Sequence, residues 1–212
     1  MKDTSLYLQA TPFIESEHPL IRNLAEQITQ GLVSEVDKAV ALFNHVRDKC
    51  YYNMYATTGD IEAYRASIIL AKGQGWCVQK AVLLAALCRA AGIPCGFILA
   101  SIRNHKSPPD AMELMHTNVF FPHMYNCIFL NGNWLKAAPA FDQEICERTG
   151  VPVVVFNGLS DAILPNKDLQ GHPFIDYLED FGIYPDLPWD FILENSRRIY
   201  GDLAENWLDK EP

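Results

Sequence analysis

Apolar residues recur one helical turn apart in "HPLIRNLAEQITQG", where Leu20, Leu24 and Ile28 align and Gly31 follows. This stretch predicts a helix closed by glycine. "SEVDKAVALFNHVRDKC" predicts a second helix, with Ser34 as its N-cap and Val36, Val40, Phe43 and Val46 as its apolar stripe. Tyr51 to Gly59 reads as loop, and "RASIILAKG" as a short helix ended by Gly73. From Cys77 to Ala91 the chain is apolar on nearly every side, with only Gln79, Lys80 and Arg89 strongly polar. A helix of that kind belongs in the middle of a core, and Gly92 ends it. "IPCGFILASI" then predicts a buried strand, while the two prolines of "RNHKSPPDAMEL" predict a loop. "HMYNCIFLNGNWLKA" predicts a β-hairpin turning at Asn131-Gly132, because both positions of a type I′ turn need positive φ. "VPVVVF" offers a further strand. Glycine and proline are then frequent until "PWDFILENSRRIYGDLAENWL", which predicts a final amphipathic helix. With no linker in sight, the pattern implies one α+β domain over residues 1–212. Its central helix packs on an antiparallel sheet, with helical extensions at both ends.

Composition narrows the class. The 212 residues are 49% hydrophobic and 20% charged, ordinary values for a globular protein with a substantial core. A formal net charge of −9, with no compensating basic cluster, argues against a nucleic-acid partner. The longest apolar stretch, Ala81 to Ala91, is broken by Arg89 and too short for a bilayer, so no membrane partner is expected. "MKDTSLYLQATPF" lacks the apolar core of a signal peptide, so a cytoplasmic location is the expectation. The six cysteines are then expected to be reduced. None forms a C-x-x-C pair, and His105, His116 and His123 with Cys127 lack close ligand spacing. Neither a metal nor a cofactor is expected.

Two residues carry candidate chemistry. Cys77 directly follows "GQG" and Trp76 and heads the apolar helix, where unpaired N–H groups and the positive end of the helix dipole favour a thiolate. Its own N–H is placed to receive an oxyanion, and Gly73 and Gly75 leave room in front of the sulfur. Taken alone, Cys77 reads more readily as a small buried hydrophobe, as most free cysteines are. His123 opens the first strand of the hairpin, and alone reads as a hydrogen-bonded structural histidine. Together they satisfy what a Cys/His nucleophile pair needs from two neighbouring elements.

The blocks "GWCVQKAVLLAALCRAAGIP" and "HMYNCIFLNGNW" resemble the transglutaminase-like superfamily. Its usual pattern is G-x-C heading a helix that ends in R-x-x-G-I-P, then H-x-W and G-x-W on a hairpin. Both blocks occur in order within residues 66–142, and the nearest likeness is to short soluble prokaryotic members. The resemblance implies a papain-like fold, with Cys77 as nucleophile and His123 as general base. It also implies cleavage or transfer at an amide or ester carbonyl through a thioester, with a peptide, a protein or a small amide as substrate. One departure matters. Where many members carry the orienting aspartate, this chain has Ala138, and the next carboxylate is Asp142, beyond Pro139. Asp142 is therefore the candidate third catalytic residue, or else the N-cap of a helix over 143–148. Gln74, Trp76 and His116 are candidates to line the cleft or to bind an oxyanion, with Asn118 close by. Hydrolysis is favoured over cross-linking, since nothing indicates an amine site. The alternative is a catalytically weakened or silent module that serves as a binding scaffold, motivated by Ala138.

Overall fold

The computed structural model describes residues 3–204. Helix α1 (Pro19–Thr29) starts with a proline in its first turn, and α2 (Glu35–Lys49) is capped by Ser34, whose hydroxyl accepts from Asp37 N–H. Their buried faces differ slightly from the predicted stripes. Ile21 and Ala25 are buried in α1 while Leu20 is exposed, and in α2 the buried set is Ala39, Leu42, Phe43 and Val46. The expected loop after α2 contains a two-residue strand β1 (Tyr51–Tyr52) and two short 3₁₀ turns, Met54–Ala56 and Ile61–Tyr64. Helix α3 (Ala66–Lys72) ends on Gly73 in the left-handed conformation, and β2 (Gln74–Gly75) pairs in parallel with β1.

Helix α4 (Cys77–Ala90) is the axis of the molecule, buried from Cys77 to Arg89. Its polar side chains are spent on neighbouring backbone. Lys80 Nζ donates to the carbonyls of Arg47 and Cys50, and the Arg89 guanidinium donates to those of Cys95, Gln9 and Pro185. Each buried charge thus meets carbonyl dipoles, the condition under which such burial is tolerated.

Strands β3 (Cys95–Asn104), β4 (Val119–Leu130), β5 (Asn133–Ala137) and β6 (Ile175–Tyr184) form one antiparallel sheet in the order β5-β4-β3-β6. Helix α4 lies against it, and Asn126 Nδ2 donates to Ala81 O at 2.9 Å to tie β4 to the helix. The hairpin turns at Asn131 and Gly132, both at positive φ (49° and 82°) as the Asn-Gly pair predicts. Helices α5 (Pro109–Met115), α6 (Gln143–Thr149) and α7 (Trp189–Tyr200) complete the set.

Four expectations fail for identifiable reasons. The proline-rich segment after β3 is not all loop: Pro109 sits at the first position of α5, where a missing N–H removes no hydrogen bond. "VPVVVF" forms no strand, running instead without regular structure while its side chains Val151, Val154 and Phe156 fill the core. Strand β6 was not foreseen, because an edge strand with Asp176, Glu179 and Asp180 on it lacks a clean alternation. His123 does not open its strand, since β4 begins at Val119. The last residues of the expected C-terminal helix, 205–208, lie outside the described residues.

Candidate active site

The approach to Cys77 is tied down on several sides. Tyr51 N–H donates to Gly73 O (2.9 Å) and Asn53 N–H to Gly75 O (3.0 Å), pinning the chain on either side of Gln74. Gln79, in the first turn of α4, reaches back with Oε1 to accept from Trp76 N–H (3.2 Å) and donates through Nε2 to Ala63 O (3.1 Å). This is the returning half of a capping box. It also explains the glycine at 75, where a Cβ would lie 2.9 Å from Gln79 Cβ.

Cys77 is the first residue of α4, and its thiol donates to Pro122 O at 3.6 Å. The N–H groups of Cys77 and Val78, from the helix start, and of Met124, from β4, turn toward the sulfur. The thiol therefore sits against the backbone on both sides of residue 123. Burial nevertheless dominates its ionisation. With the side chain almost wholly enclosed, desolvation pushes the thiol up to about 11 despite the three N–H groups. The lowered thiol pKa expected from the helix N-terminus is overturned by this enclosure.

His123 owes its position to an irregularity of the sheet. Ala100 pairs with His123 but Ile102 with Phe120, so β4 carries one residue more than β3 between these pairs. Such a bulge re-aims the side chains beside it. Phe121-Pro122, inside the bulge, is a cis peptide. Tyr200 of α7 clamps it, its hydroxyl accepting from Phe121 N–H (2.6 Å) and facing Phe121 O (3.1 Å). The imidazole is 2% exposed and stacks on Tyr125 with ring centroids 5.5 Å apart. Desolvation lowers it to about 4, so it is neutral at pH 7. Its Nε2 lies 3.4 Å from the hydroxyl of Tyr177, which also accepts from Leu164 N–H at 3.2 Å. Tyr177 is carried by β6, whose register against β3 slips on either side of the paired residues Glu179 and Asp180.

Cys77 and His123 line one cavity of about 170 Å³, with Trp76 among its walls. Among the described residues no hydrogen bond joins thiol to imidazole, so the resting pair is a neutral thiol beside a neutral ring. The other candidates fall elsewhere. Asp142 is the N-cap of α6, with Oδ1 accepting from Ile145 N–H (2.9 Å) and Oδ2 from Tyr52 N–H (2.7 Å). Both oxygens are thereby engaged away from His123, and the imidazole's hydrogen-bonding neighbour is Tyr177. Ala138 is buried and donates its N–H to Ala162 O. Gln74 is exposed on β2 facing Asn53, and His116 is an exposed residue at the end of α5 in the left-handed conformation (φ 52°). Neither lines the cavity, because β2 turns Gln74 outward and the helix end turns His116 to solvent. Tyr177 and Tyr125 were missed by sequence reasoning. Tyr125 holds the place of the tryptophan in the H-x-W pattern and was open to discovery, whereas nothing local marks Tyr177. No group of three or more His, Cys, Asp or Glu residues is gathered as a metal site among the described residues.

A helix with cysteine at its head, laid on an antiparallel sheet that presents histidine to the same cavity, defines a papain-like cysteine-enzyme architecture. The transglutaminase-like superfamily matches residues 22–139, more than half the chain, and the protein belongs to it. A solved structure from Cytophaga hutchinsonii, named a "putative cysteine protease", shares this fold at 18% identity with a TM-score of 0.53. The likeness covers 87% of this chain but 55% of that one, so the chain spans about half of that relative. The periplasmic domain of TgpA from Pseudomonas aeruginosa is more distant, at 18% identity and a TM-score of 0.42 over 63% of this chain and 45% of that one. No curated protein matches the chain. Among the described residues no helix is long and apolar enough to cross a membrane.

Proposed function

We propose that the protein is a cysteine-dependent hydrolase of amide or ester bonds, with Cys77 as nucleophile and His123 as general base. The observation that carries this reading is the convergence of Cys77, at a helix start, and His123, beside a strand bulge, on one cavity. Because the resting pair is neutral, the thiol proton would pass to the imidazole as the sulfur–carbon bond forms, not before. Nε2 faces Tyr177, so the free nitrogen is Nδ1. The Tyr177 oxygen would accept from Nε2–H and fix that tautomer, replacing the acid absent at Ala138 with a neutral acceptor. The backbone N–H groups near the sulfur would receive the developing oxyanion. His123 would then return the proton to the leaving nitrogen or oxygen, leaving a thioester on Cys77. Water, deprotonated by the same imidazole, would release the acid and restore the thiol. The substrate would be a peptide, a protein or a small amide, met in the cytoplasm.

Screening peptides, isopeptides and small amides tests the reading. Hydrolysis should disappear in Cys77→Ala and in His123→Ala while both variants stay folded. Activity surviving Cys77→Ala would refute it. The missing thiol–imidazole hydrogen bond, with Ala138, favours a second reading as a silent binding module. That reading predicts no turnover from the wild-type protein on any of these substrates.

A further inference from the structure

The cavity that holds Cys77 and His123 also has a definite chemical character. Its walls beyond the reacting pair are mostly apolar: Ile102, Phe120, Phe141, Leu164 and Phe174 all contribute, with the ring of Tyr52. Among the described residues, the one cation that lines it, Lys106, is already committed. Its Nζ lies 2.8 Å from Asp168 Oδ2 and donates to Thr149 O at 3.0 Å. The Asn104 side-chain oxygen likewise accepts from Lys106 N–H at 2.9 Å. A charged group entering here would lose much of its hydration and meet no uncommitted counter-charge among the described lining residues, an unfavourable exchange. An apolar group would lose nothing and gain burial. The volume sets the size. At about 170 Å³ the cavity is close to the roughly 150 Å³ apolar void known to admit a benzene ring.

We infer that this cavity selects the acyl side of the substrate, taking one uncharged apolar group of single-ring size next to the scissile carbonyl. The inference rests on the catalytic reading above and specifies its substrate class. In the acylation step the Cys77 sulfur–carbon bond forms and the carbon–oxygen or carbon–nitrogen bond to the leaving group breaks. The thiol proton ends on the leaving group, and the apolar group stays in the cavity as part of the thioester.

The test uses 4-nitrophenyl esters that share a leaving group and differ in acyl part: acetyl, phenylacetyl and succinyl. Rates are corrected for the Cys77→Ala background and divided by the rates of free cysteine with the same esters. Phenylacetyl should acylate at least tenfold faster than succinyl. Ala111→Leu, which fills the cavity from α5, should slow phenylacetyl severalfold and leave acetyl nearly unchanged. Equal or faster reaction of succinyl, or equal slowing of all esters by Ala111→Leu, would overturn the inference. If no ester reacts above the Cys77→Ala background, the ester arm of the catalytic reading fails and the cavity is tested separately by ligand-observed NMR. Phenylacetamide should then bind the Cys77→Ala protein and lose binding in Cys77→Ala/Ala111→Leu, whereas succinamate should not bind. Binding of succinamate, or none of phenylacetamide, would overturn the selectivity itself.

Discussion

Acidification should expose the burial of His123 as a loss of stability that a neutral replacement does not share. The imidazole is held at about 4 by desolvation, against an ordinary value of 6.5. As pH falls, the unfolded chain takes up the proton first, so the stability that neutral His123 contributes is complete above 6.5. It is lost progressively as pH falls toward 4. A displacement of that size corresponds to about 3 kcal/mol in full, of which about 2 kcal/mol is lost between pH 7 and pH 5. Urea unfolding of wild type and His123→Gln at both pH values isolates this contribution, because the remaining carboxylates and histidines titrate alike in the two proteins. The stability of wild type relative to the variant should fall by about 2 kcal/mol from pH 7 to pH 5. A difference that stays constant across that interval would show that the ring is solvated or ion-paired, and the account of the site as an enclosed neutral pair would fail.

Three further outcomes follow from the same geometry. Tyr177→Phe should lower kcat about five- to tenfold, the worth of one neutral hydrogen bond, with KM little changed and a shifted His123 imidazole resonance by NMR; an unchanged kcat and resonance would remove Tyr177 from its positioning role. Asp142→Ala should cost about 2–3 kcal/mol in urea unfolding, since it removes the α6 cap and leaves Tyr52 N–H unpaired, while kcat stays within about twofold; a large loss of turnover in a stable protein would return Asp142 to the reaction. Iodoacetamide labelling of Cys77, read by peptide mass, should rise about tenfold per pH unit from pH 7 to pH 10, because burial holds the thiol near 11. A plateau below pH 8 would reveal a preformed ion pair.

The sequence made the centre of this molecule legible and its periphery much less so. Helix α4 could be read because a stretch buried from Cys77 to Arg89 has no polar face to disguise it, and the hairpin because Asn-Gly demands one turn type. Cys77 and His123 were visible through the order of two motifs. Tyr177 was not, since β6 is an edge strand whose register slips twice against β3, and such slips leave no periodic signal. Asp142 shows the opposite hazard. A carboxylate just before a short helix serves equally as cap or as catalytic acid, and only the hydrogen bonds to Ile145 and Tyr52 tell them apart. The ionisation of Cys77 was misjudged for a related reason. A helix start lowers a thiol only where solvent or a cation supports the charge, and here burial among mostly apolar walls outweighs it.

The most direct test of the central claim is peptide mass spectrometry of the protein quenched in acid during reaction with 4-nitrophenyl phenylacetate. The expected result is one acyl group per molecule, carried on the peptide containing Cys77 and accumulating further in His123→Ala if any acylation persists there. Acyl groups spread over several cysteines or lysines, or ester hydrolysis continuing undiminished in Cys77→Ala, would contradict it.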